Sequence, residues 1–408
     1  MTPAAHRVGL ADILRRFGPD YLATHALSVA RAKAWRAIVA CRTAALGGHV
    51  EACDACGTTR HVYHSCRNRH CPLCQTRAKE AWLAARRELL PTPYFHLVHT
   101  IPHGLQPIVD RSPLGFTLPH DLNGLIGQCP RLLYETLFAA ASGTLTEFAA
   151  SARHLGGEAA YTLVLHTWKP NLGRHVHVHA LVAGGALTPA GEWVRPKRGF
   201  LFPVRALSKV FRGKFVAALT AQRMAGHLPT MAADSEWQRL RATLYAHAWV
   251  VYAKQPLGGP AQVLEYLARY THRVAISNER IVDIDAREVA FRVRADATSG
   301  KKRTLRLPGG EFIERFLLHV LPTGFKRIRH YGLLAPARKS RRLALARSAL
   351  EAPTPDPAVI ESVAQFMQRV ARIEWGACPH CGTGHFMVTG ALAPIRAPPS
   401  SSRGPPCA

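Results

Sequence analysis

The chain has 408 residues, and its 53 lysines and arginines against 26 acidic residues give a formal net charge of +27 at pH 7. This excess points to a polyanionic partner, most often nucleic acid, and argues against an active site that needs many carboxylates. The sequence has no apolar run long enough to span a membrane and no secretion signal, so we expect a cytoplasmic protein.

The N-terminal part of the chain is predicted to be helical around a cysteine-rich segment. Apolar residues recur at helical spacing over 6–45, with a break near Gly18 and Pro19. A segment rich in Cys and His follows at 49–74. The next apolar periodicity predicts a helix over 76–90.

From Tyr94 the pattern changes to strands that alternate with helices. The middle of the chain is therefore predicted to be α+β with antiparallel strands. The predicted elements are strands at 94–102, 161–168, 175–185, 249–256 and 303–307, helices at 123–152, 207–226 and 259–275, and a hairpin at 280–295 that turns at 285–288.

The cysteine-rich segment "CDACGTTRHVYHSCRNRHCPLCQ" contains two CxxC pairs separated by 14 residues. This spacing is typical of a four-cysteine zinc site. Buried free cysteines seldom occur in paired CxxC turns, and a cytoplasmic chain disfavours structural disulfides. We therefore predict a structural Zn²⁺ site, whose ligands are Cys53, Cys56, Cys71 and Cys74, with Cys66 and His70 as alternates.

A further CxxC, formed by Cys378 and Cys381, has no matching pair nearby in the sequence. His380 and His385 are close enough in the chain to assist metal binding. The sequence leaves the role of this pair open.

The segment "GRHVHVHALVAGG" places His175, His177 and His179 at alternate positions of a predicted strand. Alternate side chains share a face and lie ~7 Å apart, so neighbouring imidazoles can converge on one ion. His175 and His179 would be ~13 Å apart, too far to share it comfortably. We expect His177 and His179 to bind a metal, and His175 to support them or to contact DNA.

A third metal ligand should come from the preceding strand. A hairpin that pairs about residues 171–172 places His166 opposite His177, whereas a one-residue slip would turn His166 to the other face. The alternative is a polar strand face that is solvated or packs on nucleic acid.

Tyr266 and Tyr270 in "EYLARYTHR" lie at i and i+4 on one face of the predicted helix. Two such tyrosines alone would be core aromatics, but beside a metal-binding strand they can act as nucleophiles. A phenol with a pKa near 10 attacks a phosphate only when a divalent ion makes the phosphorus electrophilic. The product would be a 5′-phosphotyrosine link and a free 3′-hydroxyl, and the sequence shows no P-loop for a nucleotide cofactor.

Basic residues cluster near the tyrosines and towards the C-terminal end, where 299–350 contains 13 lysines and arginines and two acids. We expect a cluster with so large an excess of positive charge to contact DNA phosphates. The candidate DNA-binding residues are Arg269, Arg273, Lys301, Lys302, Arg303, Lys326, Arg327 and Arg329.

Several motifs together resemble the insertion sequence 91 family of rolling-circle transposases. They are "SCRNRHCPLCQ", "YFHLVHTIPH", "LHTWKPNLGRHVHVHALVAGG", "WVVYAKQPLGGPAQVLEYLARYTHRVAISNERI" and "EFIERFLLHVLPTGFKRIRHYGLLA", in this order over most of 10–335. Members of the family often have proline directly before the His-hydrophobic-His triplet, which is 177–179 in this chain. Here that position is Val176.

The resemblance implies a His-hydrophobic-His (HUH) nuclease: an antiparallel sheet flanked by helices, with His177 and His179 binding Mg²⁺ or Mn²⁺. It implies that Tyr266 and Tyr270 are paired nucleophiles, which cleave and rejoin single DNA strands at element ends and target. The oligomeric state is left open, and the location expected is the cytoplasm, associated with the nucleoid through DNA.

We expect four regions: a helical and zinc-binding domain at 1–88 with the zinc module at about 49–75, the HUH domain at 90–335, a basic helical extension at 336–388 and a disordered tail at 389–408. The alternative function is a catalytically inactive, zinc-containing DNA-binding regulator. A two-metal enzyme based on carboxylates is disfavoured because few acidic residues lie near these motifs.

Overall fold

The computed structural model describes residues 8–75, 90, 92, 94–100, 116–117, 120–197, 201–228, 233–246, 249–253, 275–294, 301–353, 362, 365, 368, 374 and 376–395. The chain divides into two units: Met1–Ala78 with Val359–Ala408, and Lys79–Ala358. These units differ from the predicted regions, because the expected extension at 336–388 is split between them.

Three short helices begin the first unit: α1 (Leu10–Arg16), α2 (Gly18–Thr24) and α3 (Val29–Ala40). The expected break near Gly18 and Pro19 is the junction between α1 and α2. Proline is tolerated there because N–H groups in the first turn of a helix have no acceptor within the helix, so the missing N–H of proline breaks no hydrogen bond. Leu10, Ile13 and Ile38 are buried along the helices.

A three-stranded antiparallel sheet completes the first unit. The strand β1 (Gly48–Cys53) lies between β2 (Thr59–Tyr63) and a strand from the far end of the chain, β13 (Phe386–Leu392). The prediction of a disordered tail at 389–408 is therefore wrong for 389–392. The reason is that β13 pairs with backbone N–H and C=O groups of β1 that would otherwise be an open sheet edge.

The second unit is built on an antiparallel sheet with the strand order β12-β5-β6-β3-β8, and β4 and β7 pair with β6. This confirms the predicted α+β class with helices flanking antiparallel strands. The strands are β3 (Tyr94–Thr100), β4 (Phe116–Thr117), β5 (Glu158–Trp168), β6 (Arg174–Leu187), β7 (Trp193–Val194), β8 (Val250–Ala253) and β12 (Ile328–Gly332).

The two long strands β5 and β6 have two different faces. One face contributes alternate residues such as Leu163, Leu165 and Val178 to the main apolar core. That core also contains residues of four helices: α4 (Asn123–Gln128), α5 (Pro130–Ala150), α6 (Val204–Met224) and α7 (Asp234–Ala246).

The opposite face of β5 and β6 is apolar at one end and polar at the other. Val164 and Leu181 join a smaller core with residues of α9 (Lys339–Ala349). The histidines of the two strands occupy the other end. Burial of one face of β5 and β6 in the main core therefore fixes their register. The histidines lie at one end of the opposite face, where they can form a functional site.

A second sheet has the order β11-β10-β9, formed by β9 (Ile281–Ile284), β10 (Glu288–Arg294) and β11 (Lys302–Pro308). The hairpin predicted to turn at 285–288 is confirmed. Asp285 Oδ1 accepts hydrogen bonds from the backbone N–H groups of Arg287 and Glu288, both at 2.8 Å. The helix α8 (Gly309–Leu317) follows, and its Phe312 meets Phe291 edge to face.

Two predicted helices, at 76–90 and 259–275, fall almost entirely outside the described residues. Among the helices that the structure describes, none combines the length and the hydropathy that a bilayer crossing would need.

Candidate functional site

The β5–β6 hairpin brings three histidines together near its turn. Their register pairs His166 with His177, as predicted, and His179 follows on the same face of β6. One ring nitrogen from each of His166, His177 and His179 lies within 4.8 Å of the others. Strand pairing fixes this spacing, because adjacent strands and alternate residues set the distances between the three side chains.

His177 is prepared to bind a metal through Nε2. Its Nδ1 lies 2.9 Å from the carbonyl oxygen of His175, and because a carbonyl only accepts, Nδ1 carries the proton. Removal from water lowers the pKa of His177 to about 4, so the ring is neutral near pH 7. A neutral ring with Nδ1–H held by a carbonyl leaves the Nε2 lone pair available for a cation.

Aromatic and apolar surroundings limit water around the other two rings. His166 and His179 are 4% and 5% exposed, which is low for ionisable side chains. The ring of His166 stacks on Trp168, with centroids 4.7 Å apart. Three imidazole nitrogens held on adjacent strands can together ligate one divalent cation.

His319, which the sequence did not single out, supports the turn of this hairpin. It is buried, its Nε2 donates to the carbonyl oxygen of Leu172 at 2.9 Å, and its Nδ1 lies 3.2 Å from the Thr167 hydroxyl. Burial lowers the pKa of His319 to about 4. The only hint in the sequence is a histidine within the apolar run after α8.

His175 lies beside the group of three converging histidines but outside it. Its ring centroid is 4.8 Å from that of His177. The three nitrogens that converge belong to the other histidines. This placement agrees with the expectation that only two of the three strand histidines share an ion.

The candidate DNA-binding residues divide into two groups. Lys301, Lys302, Arg303 and Lys326 are exposed. Arg327, by contrast, is buried, and its guanidinium carbon lies 5.8 Å from the Trp168 ring centroid.

Arg329 is committed to contacts within the protein rather than to an open surface. It forms two hydrogen bonds with Glu135, at 2.6 and 2.8 Å, and lies over the Phe138 ring at 4.2 Å. The hydrogen bonds from Arg329 lower the pKa of Glu135. Arg327 and Arg329 thus make contacts within the protein, which a run of charges in the sequence does not reveal, and DNA binding by either residue stays a prediction.

The predicted zinc ligands fall into two separate groups of four cysteines. The first group consists of Cys41, Cys66, Cys71 and Cys74. Sulfur–sulfur distances are 3.6 Å for Cys41–Cys74 and 3.7 Å for Cys66–Cys74. Cys41 comes from the end of α3 and was not among the predicted ligands.

The thiols of the first group share negative charge unevenly. Hydrogen bonds from Cys66 and Cys71 lower the pKa of Cys41 to about 2, and the same contact with Cys41 raises the pKa of Cys66 to about 12. One thiolate is thus stabilised at the expense of its neighbours. A cation at the centre is what allows all four sulfurs to be deprotonated together.

The second group consists of Cys53, Cys56, Cys378 and Cys381. The predicted set of Cys53, Cys56, Cys71 and Cys74 is therefore wrong as a single site. Cys71 and Cys74 are joined by Cys41 at the end of α3 and by Cys66, which follows β2. Cys53 and Cys56 are joined by the pair from the C-terminal segment. His70, named as an alternate, hydrogen-bonds Asn68 instead and belongs to neither group.

The predicted nucleophiles Tyr266 and Tyr270 lie outside the described residues, and so do Arg269 and Arg273. Their placement relative to the histidines stays a prediction.

Comparisons with known proteins match two different parts of the chain to transposase families. Residues 13–101 match the model of a "Transposase zinc-binding domain", and residues 160–342, which include all three converging histidines, match a model described as "Putative transposase". No solved structure matches the chain.

Two curated relatives match over most of their lengths. The "Putative transposase y4qJ" of Sinorhizobium fredii is 41% identical over 96% of this chain and 97% of its own. The "Transposase for insertion sequence element IS801" of Pseudomonas savastanoi pv. phaseolicola is 24% identical over 85% of this chain and 80% of its own. From the histidine hairpin, the paired cysteine groups and these matches, we conclude that the chain belongs to the insertion sequence 91 family of transposases.

Proposed function

We propose that this transposase cleaves and rejoins single DNA strands at the ends of its element through a 5′-phosphotyrosine intermediate, as in rolling-circle transposition. The observation that carries the proposal is the convergence of His166, His177 and His179 on one face of the β5–β6 hairpin. Among the residues that the structure describes, this metal-ligand group contains three imidazoles and no carboxylate, which fits metal-assisted attack by a side chain better than two-metal chemistry.

The three histidines would hold one divalent ion, Mn²⁺ or Mg²⁺. When bound, the ion would supply a positive charge that polarises the phosphate and offsets charge in the transition state. The chain's own contribution is to orient the rings. His177 does this through its Nδ1–H bond to the His175 carbonyl, and His166 through its stacking on Trp168.

The covalent step assigns the nucleophile to Tyr266 or Tyr270. The phenol oxygen attacks phosphorus and loses its proton to solvent, and the bond from phosphorus to the 3′-oxygen breaks. The departing oxygen takes up a proton to become a 3′-hydroxyl. Attack by a 3′-hydroxyl on the phosphotyrosine reverses the step, and two tyrosines allow one cleaved end to be held while the other nucleophile acts.

The exposed basic residues Lys301, Lys302, Arg303 and Lys326 are suited to contact the DNA backbone. Arg269 and Arg273, next to the tyrosines in sequence, would bind phosphate oxygens near the scissile bond. In the first unit, Cys41, Cys66, Cys71 and Cys74 would hold a structural Zn²⁺, because a closed set of four thiolates leaves no position for a substrate.

The test uses single-stranded oligonucleotides that span the junction between the element and its flanking DNA. With Mn²⁺, the wild-type chain should give a covalent protein–DNA adduct on a denaturing gel, and Tyr266→Phe with Tyr270→Phe should give none. Tyr245→Phe is the matched control, because Tyr245 is an exposed tyrosine on α7, away from the predicted nucleophiles in sequence.

An adduct that survives loss of both tyrosines would refute the nucleophile assignment. Salt-dependent DNA binding by the wild type without any adduct, whatever the divalent ion, would favour the inactive DNA-binding regulator instead.

A further inference from the structure

We infer that Cys53, Cys56, Cys378 and Cys381 form a second zinc site, which ties the C-terminal segment into the N-terminal unit. The inference goes beyond the proposed cleavage reaction, which does not need this site. Two of the four ligands also lie far outside 13–101, the segment that matches the zinc-binding domain.

Sulfur positions in this group match those of a tetrahedral zinc centre. Four thiolates at the usual Zn–S distance of about 2.3 Å are about 3.8 Å apart. The distances are 3.7 Å for Cys53–Cys381 and 3.7 Å for Cys56–Cys378. A disulfide would need about 2.05 Å, so neither pair is placed for oxidation to one.

The two halves of the site are the same turn, used twice. The sequence "CDACGT" begins at Cys53 and "CPHCGT" begins at Cys378. In each turn the glycine N–H donates to the carbonyl of the first cysteine at 3.0 Å, and φ is +70° at Gly57 and +72° at Gly382. Glycine is favoured at both positions because a Cβ makes this left-handed conformation costly.

Backbone contacts hold the two turns against each other. The N–H of His385 donates to Asp54 Oδ1 at 2.7 Å, and the N–H of Asp54 donates to the His385 carbonyl at 3.1 Å. A Cβ at Gly384 would overlap Cys53 Sγ and lie 2.6 Å from the Cβ of Ala55. The C-terminal segment is thus fitted closely to the turn that it faces.

Burial and donor type select the ion. Cys53 and Cys378 are 3% and 1% exposed, so their thiolates would be costly without a cation. A tetrahedral set of four sulfurs is suited to zinc, or to iron, and a closed set of this kind is structural rather than catalytic. Occupancy would fix β13 beside β1 through the metal as well as through backbone hydrogen bonds.

The test is the metal content of the full-length protein, measured by elemental analysis after removal of loosely bound ions. The wild-type chain should contain two equivalents of zinc, and Cys378→Ser with Cys381→Ser should contain one. Cys129→Ser is the matched control, because Cys129 is a free cysteine outside both groups, and it should retain two equivalents.

One equivalent in the wild type, or two in the double variant, would overturn the inference. If the double variant unfolds and loses both ions, cobalt titration of the wild-type chain still decides. Two equivalents that bind with the absorption of four-thiolate Co²⁺ support the second site, and saturation at one refutes it. Neither readout depends on DNA cleavage, so the proposed function stands or falls separately.

Discussion

At the scale of single residues, His177 shows how a strand can prepare a histidine for the metal-ligand role that we propose. The carbonyl of its own strand neighbour, His175, fixes the proton on Nδ1, and removal from water keeps the ring neutral. His166 on the adjacent strand lies directly across from it. The three-ring group therefore depends on one register of one hairpin.

Replacing His166 with alanine should weaken binding of Mn²⁺ roughly 10- to 100-fold, since even supporting partners of a metal site contribute this much. Isothermal titration with Mn²⁺ measures the affinity. His175→Ala is the control, and it should keep the affinity within a small factor because His175 lies outside the converging group. Equal losses in the two variants would show that the ligand set is wrong.

Stability at acid pH should depend on His319. Its folded pKa of about 4 lies below the ordinary value of 6.5, so the unfolded chain binds the proton first as pH falls. The contribution of neutral His319 to the free energy of unfolding is complete above about pH 6.5. It is lost progressively as pH falls from about 6.5 to about 4. Between pH 7.5 and 5 this corresponds to about 2 kcal/mol.

Denaturant unfolding of the second unit at several pH values measures this effect. His319→Gln cannot titrate, so its free energy of unfolding should fall less between pH 7.5 and 5 than that of the wild type. Equal losses in both proteins would assign the pH dependence to other groups, such as His177.

The sequence predicted the histidine site better than the cysteine sites, and the reason is distance along the chain. His166 and His177 belong to one hairpin, so strand alternation alone predicts their contact. The partner of Cys53 is Cys381, and no local pattern joins residues that are 328 positions apart. The contacts of Arg329 with Glu135 and Phe138, which lie on a helix distant in sequence, were likewise not predictable from the local run of charges.

At the scale of elements, segments with a clear period were predicted well and the strands of the first unit were not. The strands β5 and β6 and the helices α5 and α6 all fall within or around their predicted ranges, because burial imposes a clear period on their residues. The strands β1, β2 and β13 were missed. Their sequences are short and mix charged, Cys and His residues, and only pairing with distant strands makes them β-structure.

Two glycine substitutions in the second unit should have opposite signs. Gly332, at the end of β12, has a φ of +59°, and a Cβ there would overlap the carbonyl oxygen of Ala159 on β5. Gly332→Ala should therefore destabilise the unit by about 1–3 kcal/mol.

Gly143 is the control, because it lies inside the helix α5 and a Cβ there meets Lys214 Cδ at an ordinary 3.6 Å. Gly143→Ala should stabilise the unit by about 0.5–1 kcal/mol through helix propensity. Denaturant midpoints for both variants measure these changes, and a destabilised Gly143→Ala would contradict the account of α5.

At the scale of the whole molecule, the chain leaves the first unit near residue 78 and returns to it near residue 359. The second unit, the transposase unit, is thus inserted in the sequence of the first unit, the cysteine-rich unit. Each candidate metal site is built from residues of one unit alone, so the stabilities of the two units should respond separately to metal removal.

A zinc chelator should unfold the first unit and leave the second folded, because zinc binding in such small domains supplies much of their folding free energy. Hydrogen exchange measures this directly. Protection should be lost at β1, β2 and β13 and retained at β5, β6 and α5. Loss of protection in both units would show that their folding is coupled.

The pairing of β1 with β13 also has a consequence during protein synthesis. Cys378 leaves the ribosome 325 residues after Cys53, which at bacterial-type rates of about 5–20 residues per second is a delay of roughly 15 to 65 s. During that time β13 is not yet available to pair with β1, and Cys378 and Cys381 are not yet available to Cys53 and Cys56. A polypeptide that stops early never completes this sheet, so a finished cysteine-rich unit marks a molecule whose transposase unit has already been made.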